Sequence, residues 1–216
     1  MILRLVEELV LSRLKSSGKI ILVLGARQVG KTTLVRDIGQ KLEIEGHKIL
    51  YLNCDLREDR AVIDTNSRAI LERLVSNIDI LFIDEAQRLD NPGLTLKIIH
   101  DNFAGVKVLA TGSSSFDLKN RLSDPLTGRY FEFVLYPFSF AEALETGEKF
   151  SNKMLIEEKA NVLLPQVMLY GLYPEVYLSA TPQEKQLLLE NIVESYLFKD
   201  VLSFQRVKNS QAIKDL

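Results

Sequence analysis

Short runs of apolar residues recur along this chain, and amphipathic stretches separate most of them. The runs cover residues 19–24, 48–53, 80–83, 106–110 and 131–135. Their continuous apolar character is typical of strands that are buried on both faces of a sheet. After the first run, Leu34, Ile38 and Leu42 recur at the spacing of one helix face. Strands that alternate with helices predict an α/β fold, in which a parallel sheet lies between layers of helices.

The pattern changes after Pro137, where apolar runs give way to helical periodicity. Residues 154–169 predict one helix, interrupted by Pro165 because proline cannot donate the backbone hydrogen bond. Residues 181–184 match a capping box with proline at the first helical position, which predicts the start of another helix. The last part of the chain is therefore expected to be helical.

These patterns predict two structural parts. Residues 1–15 are amphipathic and predict a packing helix, whereas residues 57–63 are polar and show no clear period. We expect residues 1–145 to form the core with its N-terminal helix, and residues 146–216 to form a small helical lid subdomain. A helical pattern still runs through the final residues without a stop signal. The chain is therefore expected to be part of a longer protein with a further C-terminal domain.

Composition restricts the class of protein. The chain has 216 residues, of which 46% are hydrophobic and 26% are charged, and its formal net charge is -2. This balance predicts a globular core and no overall basic field that would attract nucleic acid. Cys54 is the single cysteine, which excludes an intramolecular disulfide. No apolar run approaches the roughly 20 residues of a membrane-spanning helix. We therefore expect a cytoplasmic protein with no membrane partner.

The strongest chemical signal follows the first apolar run. Residues 25–32 match the pattern G-x-x-x-x-G-K-[ST], the Walker A phosphate-binding loop, in the required order of strand, loop and helix. Gly25 and Gly30 permit positive φ and close backbone approach to a polyphosphate. Lys31 supplies a charge for the β- and γ-phosphates, and the Thr32 hydroxyl is expected to bind Mg²⁺. The predicted nucleotide-binding residues are Gly25, Ala26, Arg27, Gln28, Val29, Gly30, Lys31, Thr32 and Thr33.

A second motif ends the third predicted strand. Asp84 and Glu85 follow the apolar run at 80–83, as in a Walker B element. Asp84 is expected to hold, with Thr32, the Mg²⁺ ion, directly or through water. Glu85 is expected to orient and polarise the attacking water. This predicts a catalytic role for Glu85 in hydrolysis.

Two further candidates follow the fourth strand. Thr111 or Ser113 is expected to sense the γ-phosphate, although the Ser-rich segment also fits a turn that caps a short helix at residues 116–119. Arg129 precedes the fifth strand. It is a candidate to pair with phosphate oxygens in its own chain, to act as a finger toward a neighbouring copy in a homo-oligomer, or to be a plain surface residue. Tyr51, Asn53 and Asp55 lie at the end of the second strand, on the edge of the sheet that carries the site, and are candidates for an unspecific contribution to it.

Together these residues resemble the AAA+ branch of P-loop ATPases. The chain is further similar to a prokaryotic family of such ATPases whose core is usually followed by a C-terminal domain of uncharacterised function. The matching segments are residues 25–33, 84–87, 111–115, 128–129, 135–140 and 171–175. The resemblance implies a P-loop NTPase three-layer αβα sandwich with a five-stranded sheet of order 5-1-4-3-2. It also implies hydrolysis of ATP with Mg²⁺, and a helical lid in which residues 171–174 approach the base or form a turn.

Other functions fit parts of the sequence. The guanine-binding pattern of GTPases has its nearest match at residues 152–155, but Leu155 stands where a carboxylate is needed. Residues 84–87 also match a helicase motif, yet such enzymes normally need a second lobe. A small-molecule kinase is disfavoured by Glu85. A slow ATP-binding switch or scaffold for the further domain stays open, as does dependence on nucleic acid. The sequence favours a cytoplasmic AAA+ ATPase module.

Overall fold

The computed structural model describes residues 2–113, 125–145 and 153–194. These residues divide into two compact units, one over Leu3–Tyr136 and one that groups Ile2 with the described residues from Pro137 onward. The segment 137–145, which the sequence-based boundary assigned to the core, groups with the second unit. The predicted helix at 116–119 lies outside the described residues.

A parallel five-stranded sheet forms the centre of the first unit. The strands are β1 Ile20–Gly25, β2 Ile49–Asn53, β3 Ile80–Asp84, β4 Lys107–Gly112 and β5 Tyr130–Leu135. Their order is β2-β3-β4-β1-β5, which confirms the expected 5-1-4-3-2 arrangement. Because every pairing is parallel, the carboxyl ends of all five strands lie at the same end of the sheet. β1 and β3 are buried along their whole length, as their continuous apolar sequences predict.

Helices cover both faces of this sheet. They are α1 Leu5–Ser16, α2 Lys31–Ile44, α3 Arg57–Ile63, α4 Arg68–Val75 and α5 Pro92–Asn102, with a short 3-10 helix at Ala86–Arg88. On one face, Leu22 and Ile83 pack in a cluster with residues of α3, α4 and α5. On the other, Gly39 of α2 lies against the Phe82 ring. Neighbouring strand residues point to opposite faces, so each strand contributes to both layers.

The second unit is helical in its described part. Its helices are α6 Phe140–Leu144, α7 Lys153–Tyr170, α8 Pro174–Leu178 and α9 Pro182–Ile192. Pro165 lies inside α7, which continues through it. Gly171 takes φ 72° directly after α7, a left-handed conformation that favours glycine at a helix end. No helix among residues 2–113, 125–145 and 153–194 is long and apolar enough to cross a membrane.

The observed helix capping agrees only in part with the capping box predicted at residues 181–184. Thr181 accepts the Glu184 N–H at 3.3 Å, as predicted for the start of α9. The Glu184 carboxylate, however, accepts a hydrogen bond from the Ser179 hydroxyl at 2.6 Å. A reciprocal capping box forms instead at the start of α6, between Ser139 and Glu142.

Candidate nucleotide-binding site

The loop between β1 and α2 follows the carboxyl end of β1, which lies between β4 and β5 in the sheet. Gly30 takes φ 93°, as expected for a glycine position, and Gln28 takes φ 62°, which is uncommon for a residue with a side chain. Gly25 is needed for a different reason. A Cβ there would lie less than 3.0 Å from the Leu135 carbonyl oxygen at the end of β5. The loop therefore leaves β1 in close contact with the neighbouring strand.

A buried arginine supports this loop, and the sequence-based candidates did not include it. Arg4 is 7% exposed. Its guanidinium donates to the Val29 carbonyl at 2.8 Å and to the Tyr136 carbonyl at 2.6 Å. Because a guanidinium donates several hydrogen bonds in a fixed plane, Arg4 ties the loop to the residue after β5. The two acceptors are far from Arg4 in the chain, so no local motif announces the contact.

Lys31, at the start of α2, is a buried cation that donates to backbone carbonyls. Its side chain is 5% exposed and donates to the carbonyls of Gly25 at 3.1 Å and Ala26 at 2.9 Å. Burial lowers the pKa of Lys31 below its ordinary value, and the nearby Glu85 and Asp84 carboxylates oppose this shift. A buried ammonium is stabilised by a nearby anion. The position, which adjoins a helix N-terminus, therefore fits a polyphosphate.

The two motifs meet at Asp84, which is 2% exposed at the end of β3. The Thr32 hydroxyl donates to Asp84 Oδ2 at 2.7 Å. The Tyr51 hydroxyl, from β2, donates to the same oxygen at 2.7 Å. Thr111, from β4, donates to Oδ1. A carboxylate beside a hydroxyl is a suitable oxygen donor set for Mg²⁺, so the residues present fit the expected ion.

Tyr51 is a further member of the site whose position, but not its contact, was evident in the sequence. Burial raises the pKa of its hydroxyl well above the ordinary value, and the hydrogen bond to Asp84 acts in the same direction. The Arg36 guanidinium opposes the shift. Tyr51 therefore remains a protonated donor to Asp84 at neutral pH. Only the pairing of β2 with β3 reveals its partner.

Glu85 follows Asp84 in a left-handed conformation, with φ 56°. Its backbone N–H donates to the Thr111 hydroxyl at 3.1 Å. Its carboxylate accepts a hydrogen bond from the Gln87 side-chain amide, and Oε1 of the same Gln87 side chain accepts the Ser113 N–H at 3.3 Å. The Thr111 hydroxyl therefore bonds directly to Asp84 and to the Glu85 backbone, whereas the Ser113 N–H is connected to Glu85 through the Gln87 side chain.

Arg129 lies elsewhere. It precedes β5, and its carbonyl accepts the N–H of Ile20 at the start of β1. The phosphate-binding loop is at the opposite end of β1, about 16 Å away at ~3.3 Å per strand residue. The Arg129 guanidinium donates to Asp101 at 2.8 Å, and this bond, with His100, lowers the pKa of Asp101 to about 2. The alternative in which Arg129 contacts phosphate within its own chain is therefore wrong, because Arg129 lies at the other end of the strands from the loop.

The fold and this constellation define a P-loop nucleotide-binding domain of the α/β class. A family model described as an AAA domain matches residues 17–144, and the chain belongs to this family. The family and fold support ATP binding. The match includes all five strands, the loop at residues 25–32 and the carboxylates of Asp84 and Glu85.

Similar proteins extend the comparison. An uncharacterized protein of Haemophilus influenzae is 28% identical over 95% of this chain and 52% of its own length. An uncharacterized protein of Methanocaldococcus jannaschii is 28% identical over 92% of this chain and 45% of its own length. The chain therefore spans about half the length of these relatives. The structure of a Walker-type ATPase of Pyrococcus abyssi has a TM-score of 0.61 at 16% identity, over 95% of this chain and 76% of that one. This likeness concerns the fold.

Proposed function

We propose that this AAA-family domain binds ATP with Mg²⁺ and hydrolyses it by attack of water on the γ-phosphate. The observation that carries the proposal is the 2.7 Å hydrogen bond from the Thr32 hydroxyl to Asp84 Oδ2, beside the buried Lys31 ammonium. This bond joins a hydroxyl from one motif to a carboxylate from the other, and the Lys31 cation lies in the same site. Such a set matches the requirements of a metal-bound polyphosphate.

The phosphates bind at the loop and at the N-terminus of α2, where the helix dipole favours negative charge. Lys31 moves part of its hydrogen bonding from the Gly25 and Ala26 carbonyls to the β- and γ-phosphate oxygens. Thr32 and Asp84 hold Mg²⁺. When bound, this ion neutralises charge that develops on the phosphate oxygens.

Glu85 accepts the proton of the attacking water. The water oxygen forms a bond to the γ-phosphorus, the bond from phosphorus to the bridging oxygen breaks, and ADP leaves with the bonding electron pair. Thr111 connects this chemistry to Asp84 and to the Glu85 backbone, which supports a sensor role for Thr111. Ser113 is the alternative sensor. We further propose that hydrolysis alters the arrangement of core and helical unit, and thereby of any domain attached to them.

Phosphate release from ATP and from GTP tests the proposal. Wild-type protein should release phosphate from ATP in preference to GTP, and Glu85→Gln should lower turnover by about 100-fold or more while ATP still binds. Glu72→Gln, at an exposed position of α4, is the matched control and should keep the wild-type rate. Unchanged turnover in Glu85→Gln would refute the water-activating role.

The phosphate-binding role of Lys31 needs its own binding measurement. Lys31→Ala should lose most of its ATP affinity in calorimetry, whereas Lys48→Ala, at an exposed position, should retain it. Tight ATP binding by Lys31→Ala would refute the loop assignment. Single-stranded DNA added to the turnover assay tests the helicase alternative, since a salt-sensitive stimulation is expected only of that function.

A slow nucleotide switch is the second candidate, and the contact between Gln87 and Glu85 favours it. The Gln87 side chain occupies a Glu85 carboxylate oxygen that the attacking water would otherwise contact. If this contact restrains turnover, Gln87→Ala should raise the steady-state rate of ATP hydrolysis several-fold without a change in ATP affinity. An unchanged or lower rate would contradict the switch.

A further inference from the structure

The Tyr51 hydroxyl connects the edge strand β2 to the carboxylate that is proposed to hold Mg²⁺. In the pairing of β2 with β3, Asn53 lies opposite Asp84. Tyr51 is two residues before Asn53 and so lies on the same face of the sheet. Its long side chain reaches Asp84 Oδ2 at 2.7 Å, the oxygen that also accepts the Thr32 hydroxyl.

The hydroxyls of Thr32, Tyr51 and Thr111, which all donate to Asp84, differ in their other roles in the proposed reaction. Thr32 is expected to give its oxygen to the metal, and Thr111 is expected to respond to the γ-phosphate. Tyr51 lies on β2, outside both Walker motifs, and has no proposed contact with nucleotide or metal. Its hydrogen bond to Asp84 can therefore persist through the whole cycle. Asp84 is 2% exposed, so water cannot readily replace a lost donor.

We propose that Tyr51 is a positioning residue, which holds the Asp84 carboxylate in the orientation that binds Mg²⁺. The inference rests on the proposed function, because it concerns the metal of that site. Outer-shell partners of metal ligands orient them, and their removal typically weakens metal binding by about 10- to 100-fold. Tyr51 would thus set the Mg²⁺ concentration at which this domain binds nucleotide tightly.

Tyr51→Phe removes one oxygen and keeps the ring. The matched control is Tyr136→Phe, the same change at a side chain that is 69% exposed. Isothermal titration calorimetry measures ADP affinity, first in excess EDTA and then at increasing Mg²⁺ concentrations. With EDTA, both variants should match the wild type within twofold. The Mg²⁺ concentration for half-maximal enhancement of ADP binding should rise about 10-fold in Tyr51→Phe alone. Melting temperatures check that both variants fold.

A double-mutant cycle separates positioning of Asp84 from a general effect on the fold. In an Asp84→Asn background, Tyr51→Phe should cause no further change in Mg²⁺ requirement, because the group it acts through is already altered. If Tyr51→Phe raises the Mg²⁺ requirement equally in the wild-type and Asp84→Asn backgrounds, the proposal is overturned and Tyr51 has a structural role. The same criterion applies if Tyr51→Phe has a lowered melting temperature.

The outcomes also distinguish this proposal from the proposed function. If the wild type shows Mg²⁺-enhanced ADP binding and Tyr51→Phe has the same Mg²⁺ requirement, the positioning role is overturned and the ATPase proposal is unaffected. If the wild type shows no Mg²⁺ enhancement, both are overturned. Because the measurement uses ADP, a failure of hydrolysis alone does not influence it.

Discussion

Gly25 at the end of β1 and Leu135 at the end of β5 approach so closely that the space for a Cβ on Gly25 is taken by the Leu135 carbonyl oxygen. The two residues are paired in the parallel register of these strands. Gly25 thus has a packing role in addition to the role proposed for it beside the phosphates. This relationship makes the start of the loop dependent on β5.

Gly25→Ala should therefore destabilise the fold. We expect a loss of about 1–3 kcal/mol in the free energy of unfolding, the usual cost of overpacking, with Leu135 as the displaced neighbour. Urea denaturation measures this loss. Gly18→Ala is the control, since a Cβ at Gly18 would meet no atom within 4 Å. Equal stability of the Gly25→Ala and Gly18→Ala proteins would contradict the close approach.

Arg4→Met should destabilise the same loop, because it removes the guanidinium that bonds to Val29 within the loop. The substitution keeps much of the apolar stem but leaves the carbonyls of Val29 and Tyr136 without this donor, at a cost of about 2 kcal/mol in the free energy of unfolding. ATP affinity should fall as well, because the loop loses its support. Denaturation and calorimetry test the two effects, with Arg57→Met at an exposed position as the control. An intact affinity would show that Arg4 stabilises the fold without shaping the loop.

Cys54 predicts a pH dependence of stability at alkaline pH. The thiol is fully buried, and burial raises its pKa from 9.0 to about 12. Between these values the unfolded chain releases the thiol proton and the folded chain keeps it. Stability contributed by the neutral thiol is therefore complete below pH 9 and falls as the pH rises toward 12.

The comparison with Cys54→Ala isolates this contribution from other titrating groups. Urea midpoints of both proteins at pH 8 and at about pH 10 should show a larger decrease for the wild type. Native wild-type protein should also react slowly with thiol reagents, and the unfolded chain quickly. Fast labelling of the native thiol, or parallel pH profiles of the two proteins, would argue against the raised pKa.

Arg129→Ala should leave nucleotide affinity unchanged within twofold, because Arg129 lies at the opposite edge of the sheet from the loop and pairs with Asp101. Calorimetry with ADP checks this, and a loss of affinity would contradict the observed separation. A mixture of Arg129→Ala and Glu85→Gln proteins then tests a role between copies. Recovery of ATP turnover in the mixture requires that Arg129 of one copy completes the site of another.

Much of the fold was predictable, and the failures have physical causes. The five strands lie within two residues of their predicted ends, because long apolar runs in a parallel sheet are a strong signal. Helix α3 was missed at Arg57–Ile63, where Ile63 is the buried residue and no periodic stripe can be read. The true capping box at Ser139 was missed, while the one predicted at Thr181 formed only one of its bonds.

The candidate site was predictable wherever the motif itself supplies the geometry. Thr32 and Asp84 meet as expected, since each motif follows the carboxyl end of a strand in the same parallel sheet. Of the three alternatives for Arg129, the contact with phosphate in its own chain could have been excluded from the sequence. A residue that precedes a strand of a parallel sheet lies at the amino ends of the strands, whereas the loop after β1 and Asp84 of β3 lie at the carboxyl ends.

By itself, the sequence determined the alternation of strands and helices, the phosphate-binding loop and the carboxylates of β3. These depend on residues adjacent in the chain, whose periodicity and backbone preferences act locally. Tertiary structure decided that Arg4 supports the loop, that Gly25 packs on Leu135 and that Tyr51 holds Asp84. Each of these contacts joins residues distant in the chain, and such partners are selected only when strand order and register bring their atoms within hydrogen-bonding or van der Waals distance.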